Sequence, residues 1–449
     1  MVMGSSSSNS SQDTLIYNVK LSSVGPGEMT GPDMKHEPTS IDLAMKLHYL
    51  KGVYLFKSHE SFENITIFQI KEAMFKWFCQ FNVVCGRFRR SENSGRPYIK
   101  CNDCGARLME AECAKTIEEW LELISDEETN NGNDSLQNKL IFGLPIGPEI
   151  EYSPNIYLQI TKFKCGGISL GLSWAHILGD VHFASYFINT WGKIMAGQKQ
   201  GPPPVLAQYK KVETSPAPKG ILNEPLSLKR VDPVGDQWVP SITTKMESYS
   251  FHVSATQLSH LQSKVSGSKK SIRVPPFESL CAMIWQSVAK VKNGMESKVV
   301  TTLKYDSCKK NNKIDNENQV ISIVKTECSV QESNLEELAA LLVSGGVDER
   351  EKIREMVETE NGAIDVIVYG ANLTFVNFEQ ATFYEFELKG QKPVHASYSV
   401  DGIGDGGAVF VLPTPKDDGK GRFVTITLPE KELIKVKHEL KQNGLLVIE

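Results

Sequence analysis

Nowhere does this chain run about 20 apolar residues together, the length that a membrane-spanning helix needs. Its first 13 residues are rich in serine and have no apolar stretch, so they resemble neither a secretory leader nor an anchor. An excess of basic charge is also missing. Forty-nine Lys and Arg stand against 54 Asp and Glu, for a net charge of −5, and a nucleic-acid binder needs a concentrated basic footprint. Cysteine is sparse and scattered, nine in 449 residues. The odd, unpatterned set reads as reduced thiols of an intracellular compartment. No zinc spacing is present either: Cys101 and Cys104 have no second Cys or Cys/His pair to complete a site. Gly402, Gly404 and Gly407 spell G-x-G-x-x-G, but the run at Ala408 to Leu412 reads as a strand, not the helix a dinucleotide site requires. A hairpin turn is the expectation there. Ser173 sits in a Leu-Ser-Trp-Ala context, which excludes the nucleophile elbow of a serine hydrolase. Asn64 and Asn372 match the glycosylation acceptor, which means little without a leader.

What is there fits a folded globular protein of two or three domains, with 40% apolar and 23% charged residues. The expected division is an N-terminal tail over 1–13, a first domain over 14–197, a proline-rich crossover over 198–240 and a second domain over 241–449. The crossover contains Pro202, Pro203, Pro204, Pro216, Pro218 and Pro225 without sustained periodicity. In the first half, strands are expected at Leu15 to Val24, Val53 to Phe56 and Pro97 to Lys100. Ile67, Ile70, Met74, Trp77, Phe78 and Phe81 form a helical stripe, and 129–138 reads as loop. In the second half, a helix starts at Pro276, where a missing N–H costs nothing. Strands are expected at Tyr249 to Val253, Val299 to Leu303, Val366 to Tyr369, Ala408 to Leu412 and Phe423 to Leu428. Helices are expected at Leu335 to Val343, at Glu351 to Glu358 and after Pro429.

The most informative stretch runs from Asn155 to Trp191. Ile156, Leu158 and Ile160 alternate with polar residues, as do Ile168, Leu170, Leu172 and Trp174 after the turn at Gly166 and Gly167. Both segments read as half-buried strands. The period then turns helical at Phe183, Phe187, Ile188 and Trp191. His176 therefore stands at a strand end, and Asp180 where a helix begins. Two readings remain open. His176 is a hydrogen-bonded core histidine and Asp180 a helix cap. Alternatively, His176 is a general base that takes a proton from an attacking alcohol or amine, while Asp180 holds the loop.

The run Leu172 to Asp180 resembles the His-x-x-x-Asp site of the BAHD acyltransferases, plant enzymes that move acyl groups from coenzyme A to alcohols or amines. The resemblance extends from about Leu15 to the ending Val424 to Glu430. Asp42 to Tyr49, Phe163 to Gly167 and Tyr369 to Asn377 carry a closer likeness to the Eceriferum/Glossy wax proteins. It implies an α/β fold of two chloramphenicol-acetyltransferase-like domains, with a solvent channel between them and the histidine at its middle. It also implies His176 as general base and Asp180 as the loop-structuring residue. No metal and no tightly bound cofactor are implied, and a coenzyme A thioester is the possible substrate.

The departures weigh against productive coenzyme A binding. The family's Asp-Phe-Gly-Trp-Gly signature is replaced by Glu387, Leu388, Lys389, Gly390 and Gln391. Both glycine positions carry side chains, so conformations open only to glycine are expected to be lost. Gly390 removes an apolar wall. Where paired arginines are usual, the chain has Asp306, Ser307, Cys308 and Lys309, leaving fewer guanidinium groups for phosphate. The likeness to the wax proteins implies an accessory role: promotion of very-long-chain fatty acid elongation for cuticular wax by a non-catalytic partner of the elongase condensing enzyme, a 3-ketoacyl-CoA synthase. A monomer at the cytosolic face of the endoplasmic reticulum is expected, held there through its partner. The alternative is a coenzyme A-dependent O- or N-acyltransferase that uses His176.

Overall fold

Two mixed sheets dominate the computed structural model, which describes residues 15–125, 134–199, 201, 209, 224–266, 274–292, 297–306 and 316–446. The expectations for 1–13, for 126–133, for most of the crossover (Pro202 to Pro204, Pro216 and Pro218 included) and for 307–309 fall outside these residues. The first sheet has strand order Ile16–Val24, Ala106–Cys113, Ile156–Phe163, Ile168–Ala175, Tyr49–Phe56 and His395–Asp401. The second runs Met246–Val253, Arg422–Pro429, Ala408–Pro413, Leu373–Asn377, Val299–Tyr305, Gln319–Lys325 and Val347–Asp348. His395–Asp401 comes from the second half of the chain yet pairs with Tyr49–Phe56 in the first sheet.

The helical stripe forms the helix Ile67–Gln80, closed at its start by a reciprocal cap between Thr66 and Gln69. It lies against the helix Val181–Met195, with Trp77 stacked on Phe187 at 3.8 Å between ring centres. On the other side of the molecule the helices Ala255–Val265, Pro276–Val291, Leu335–Ser344 and Glu430–Gln442 share a core with one face of the second sheet. Ala408, Phe410 and Leu412 belong to the first core, whereas Val409 and Val411 belong to the second. The second sheet is thus a wall between two cores. That position explains why the run at Ala408 to Leu412 is apolar throughout.

Several expectations change. The two strands before His176 are buried on both faces, not half-buried: Gln159, Thr161, Ser169 and Ser173 are at most 2% exposed. The chain around 139–143 roofs their polar side, where Gln159 Nε2 donates to the Lys139 carbonyl at 2.9 Å. The Asp134–Asn138 part of the expected loop is a short helix. The G-x-G-x-x-G segment is not a hairpin turn, because the strands on its two sides lie in different sheets. It is a crossover pressed against the Tyr369 to Gly370 backbone. Gly404 N donates to the Tyr369 carbonyl at 2.9 Å and Gly406 N to the Gly370 carbonyl at 3.0 Å. A Cβ at Gly404 or Gly406 would come within 2.6 Å of that carbonyl oxygen of Gly370. Strands at Ala106–Cys113, Gln319–Lys325, Leu373–Asn377 and His395–Asp401, and the helix Ala255–Val265, had no sequence expectation.

Candidate active site

Strand Ile168–Ala175 ends in a single turn of 3-10 helix, His176–Leu178, and the chain then reverses at Gly179. Gly179 has φ +145° and ψ 170°, a region open essentially to glycine alone. A Cβ there would meet Phe183 at 2.4 Å. The corner is held from behind by Trp174, whose Nε1 donates to the Gly179 carbonyl at 3.0 Å. Asp180 follows as the N-cap of Val181–Met195. Its Oδ1 accepts from the backbone N–H of His182 and of Phe183, each at 3.0 Å. Its Oδ2 is buried, without a hydrogen-bond partner among the described residues. Burial pushes the Asp180 carboxyl up to about 7, and the two backbone donors act against that rise.

His176 is fully enclosed, at 0% exposure. Its N–H donates to the His48 carbonyl at 3.0 Å, and its own carbonyl accepts from Asn316 Nδ2 at 2.9 Å. Asn316 Nδ2 also reaches Asp42 Oδ1 at 2.9 Å. The imidazole Nε2 pairs with the Tyr369 hydroxyl at 2.8 Å. Gln319 Nε2 approaches the same phenolic oxygen at 3.4 Å, which leaves the hydroxyl proton for the imidazole. Burial lowers the His176 pKa to about 4; the residue's own carbonyl and the Asn316 amide pull the other way. The Tyr369 pKa is raised, again by burial. His48 completes the group. Its ring meets Tyr369 edge-on at 4.9 Å, and its Nε2 accepts from Val368 N at 3.0 Å.

Sequence reading singled out His176 and Asp180, and the fold brings them to one corner with no hydrogen bond between them. It did not find Tyr369, His48, Asn316 or Gln319. Tyr369 lies 193 residues from His176 in sequence, so no local spacing could have signalled the contact. The resemblance places the histidine in a solvent channel, but here the imidazole is closed off and its Nε2 is occupied. A left-handed conformation that favours glycine is present at one of the two substituted glycine positions, against the expectation of its loss. Lys389 has φ +51° and Gly390 φ +79°. They form the corner of a tight turn closed by two Leu388–Gln391 hydrogen bonds, at 2.9 and 3.0 Å. Among the described residues no group of His, Cys, Asp and Glu is arranged to hold a metal ion, and eight cysteines are free thiols.

Comparison with known proteins agrees with this architecture. The model of the "Transferase family" matches residues 39–443. Protein ECERIFERUM 26 of Arabidopsis thaliana is 41% identical over 447 residues, covering 99% of this chain and 100% of that protein. Vinorine synthase superposes with a TM-score of 0.70 at 16% identity, covering 96% of this chain and 98% of its own. TRI101 of F. graminearum, in complex with coenzyme A and T-2 mycotoxin, also reaches 0.70, at 14% identity, covering 92% and 99%. The last two likenesses establish the fold, two chloramphenicol-acetyltransferase-like domains. With the family model spanning nearly the whole chain and a relative at 41% identity along its full length, this protein belongs to the BAHD transferase family, in its ECERIFERUM branch.

Proposed function

We propose that this chain promotes very-long-chain fatty acid elongation for cuticular wax as a non-catalytic partner of the elongase condensing enzyme, and that acyl transfer at His176 is dispensable for it. The observation that carries this reading is the Tyr369 hydroxyl on His176 Nε2. A general base must reach the proton it abstracts. The one nitrogen that faces away from the residue's own backbone is taken by a side chain of the protein itself. An imidazole with a pKa of about 4 is also a weak base. Asp180 serves as a helix cap, which a folded scaffold needs with or without catalysis. The kinship with ECERIFERUM 26 supports the same reading, and the coenzyme A held by TRI101 in the same fold supports acyl-CoA as the ligand class. No helix of the described residues is long and apolar enough to cross a membrane. Attachment to the endoplasmic reticulum would then come through the condensing enzyme.

A second reading rests on the retained pair at the strand end and helix start. With Tyr369 turned aside, His176 Nε2 would take the proton of an alcohol or amine. The freed lone pair would attack the thioester carbonyl, and the coenzyme A thiolate would leave and recover the proton. Co-expression in yeast with a plant condensing enzyme, followed by fatty acid profiling, separates the two. Longer products from wild type and His176→Ala alike support the partner role. Loss of the effect in the Ala variant while the protein remains folded, or coenzyme A release with an added acceptor, supports catalysis.

A further inference from the structure

A cavity of about 220 Å³ lies beside the Leu47 to Tyr49 backbone, and neither His176 nor Tyr369 lines it. Leu47 and Tyr49 line it, whereas His48 between them turns the other way, towards Val368. Leu144 and Val239, both among its lining residues, are 56% and 41% exposed and so stand at its mouth. One cation lines this apolar pocket. The Lys51 side chain is 9% exposed, and the carboxylate beside it, Asp401 Oδ2, lies 3.5 Å away on a side chain that is 51% exposed.

That ion pair does not account for the lysine's position. Taking an ammonium out of water costs several kcal/mol, and a long pair to a water-facing carboxylate returns only about 0–1 kcal/mol. An apolar pocket with a few converging polar groups is the usual make-up of a small-ligand site, and here they are Lys51 and its partner Asp401. The cation selects an anion and the mouth selects an aliphatic chain. The volume lies below the roughly 300–1,000 Å³ typical of drug-sized ligands, so a coenzyme A nucleotide does not fit, while a carboxylate and the first part of a chain do. We infer that this cavity binds a long-chain monocarboxylate, with the carboxylate on Lys51 Nζ and the chain leaving over Leu144 and Val239. Asp401, half in water, turns outward when the ligand arrives. The site is separate from the His176 corner and is independent of the elongation reading.

Calorimetric titration of the purified chain with dodecanoate, below its micelle concentration, tests this without any condensing enzyme present. One-to-one binding is expected. Lys51→Met should weaken it by about tenfold or more, the worth of one charge-assisted hydrogen bond. Dodecanol should bind wild type correspondingly less well than dodecanoate. Leu144→Asp, a surface change that leaves the lysine in place, should also weaken dodecanoate, and it decides the matter should the Lys51 variant not fold. Absence of binding, equal affinity in wild type and both variants, or equal affinity for acid and alcohol would overturn the inference.

Discussion

Asp180 divides its two oxygens between unlike surroundings, one on backbone donors and one without a partner among the described residues. The cap, more than the charge, is therefore what the fold uses. Asp180→Ala should cost about 0.5–2 kcal/mol in urea unfolding, whereas Asp180→Asn, which keeps the acceptor, should be at least as stable as wild type at pH 7.5. A catalytic carboxylate would give the opposite pattern in an activity assay, with Asn failing along with Ala. Tyr369 is the complementary case. Tyr369→Phe leaves His176 Nε2 buried without its partner, so a loss of about 1–3 kcal/mol is expected, read from the shift in urea midpoint.

At the level of elements, the corner between strand Ile168–Ala175 and helix Val181–Met195 depends on Gly179. Gly179→Ala would demand a conformation that L-residues avoid and would drive a methyl into Phe183. The expected cost is at least about 1–3 kcal/mol by thermal or chemical unfolding. The turn at Lys389 runs the other way. A lysine there holds a left-handed conformation that asparagine tolerates better, so Lys389→Asn should stabilise by up to about 1 kcal/mol. A drop in melting temperature in that variant would mean that the lysine side chain makes a compensating contact.

Over the whole molecule, burial sets the response to acid. His36, His48 and His176 are 6%, 0% and 0% exposed, and burial lowers their pKa values from 6.5 to about 4, 3 and 4. Between pH 6.5 and about 4 the unfolded chain binds these protons while the folded chain does not, so stability falls with acidification. Asp180 opposes them. Its folded value of about 7 lies above the ordinary 3.8, so across the same window the folded chain holds the extra proton. His182 and His395 are likewise lowered to about 4 by burial, and Asp401 is raised with Asp180, so five histidines against two carboxylates give a net loss: the urea midpoint should be lower at pH 5.0 than at pH 7.5. Asp180→Asn removes one opposing group and should steepen that fall. A midpoint that rises on acidification would contradict the burial of these histidines.

Local pattern alone placed the helix at Pro276, the Ile67 stripe and the strand–corner–helix unit around His176. The first two are each written within about fifteen residues and the third within the run from Asn155 to Trp191, by a period of 2 or 3.6 and by an end signal. Periodicity could not say that Ser169 and Ser173 are roofed, because their polarity looks the same whether water or the Lys139 to Gly143 chain covers them. It also could not say that the glycines at 402–407 serve a crossing between sheets. That is decided by which strands pair, and pairing is a long-range choice. The state of the imidazole is the sharpest instance. Its neighbours in sequence put His176 at the end of a strand, but Tyr369 and Asn316 reach it, and Gln319 reaches Tyr369, only because the second sheet packs against the first. Whether that nitrogen is free to take a proton is fixed by side chains more than a hundred residues away.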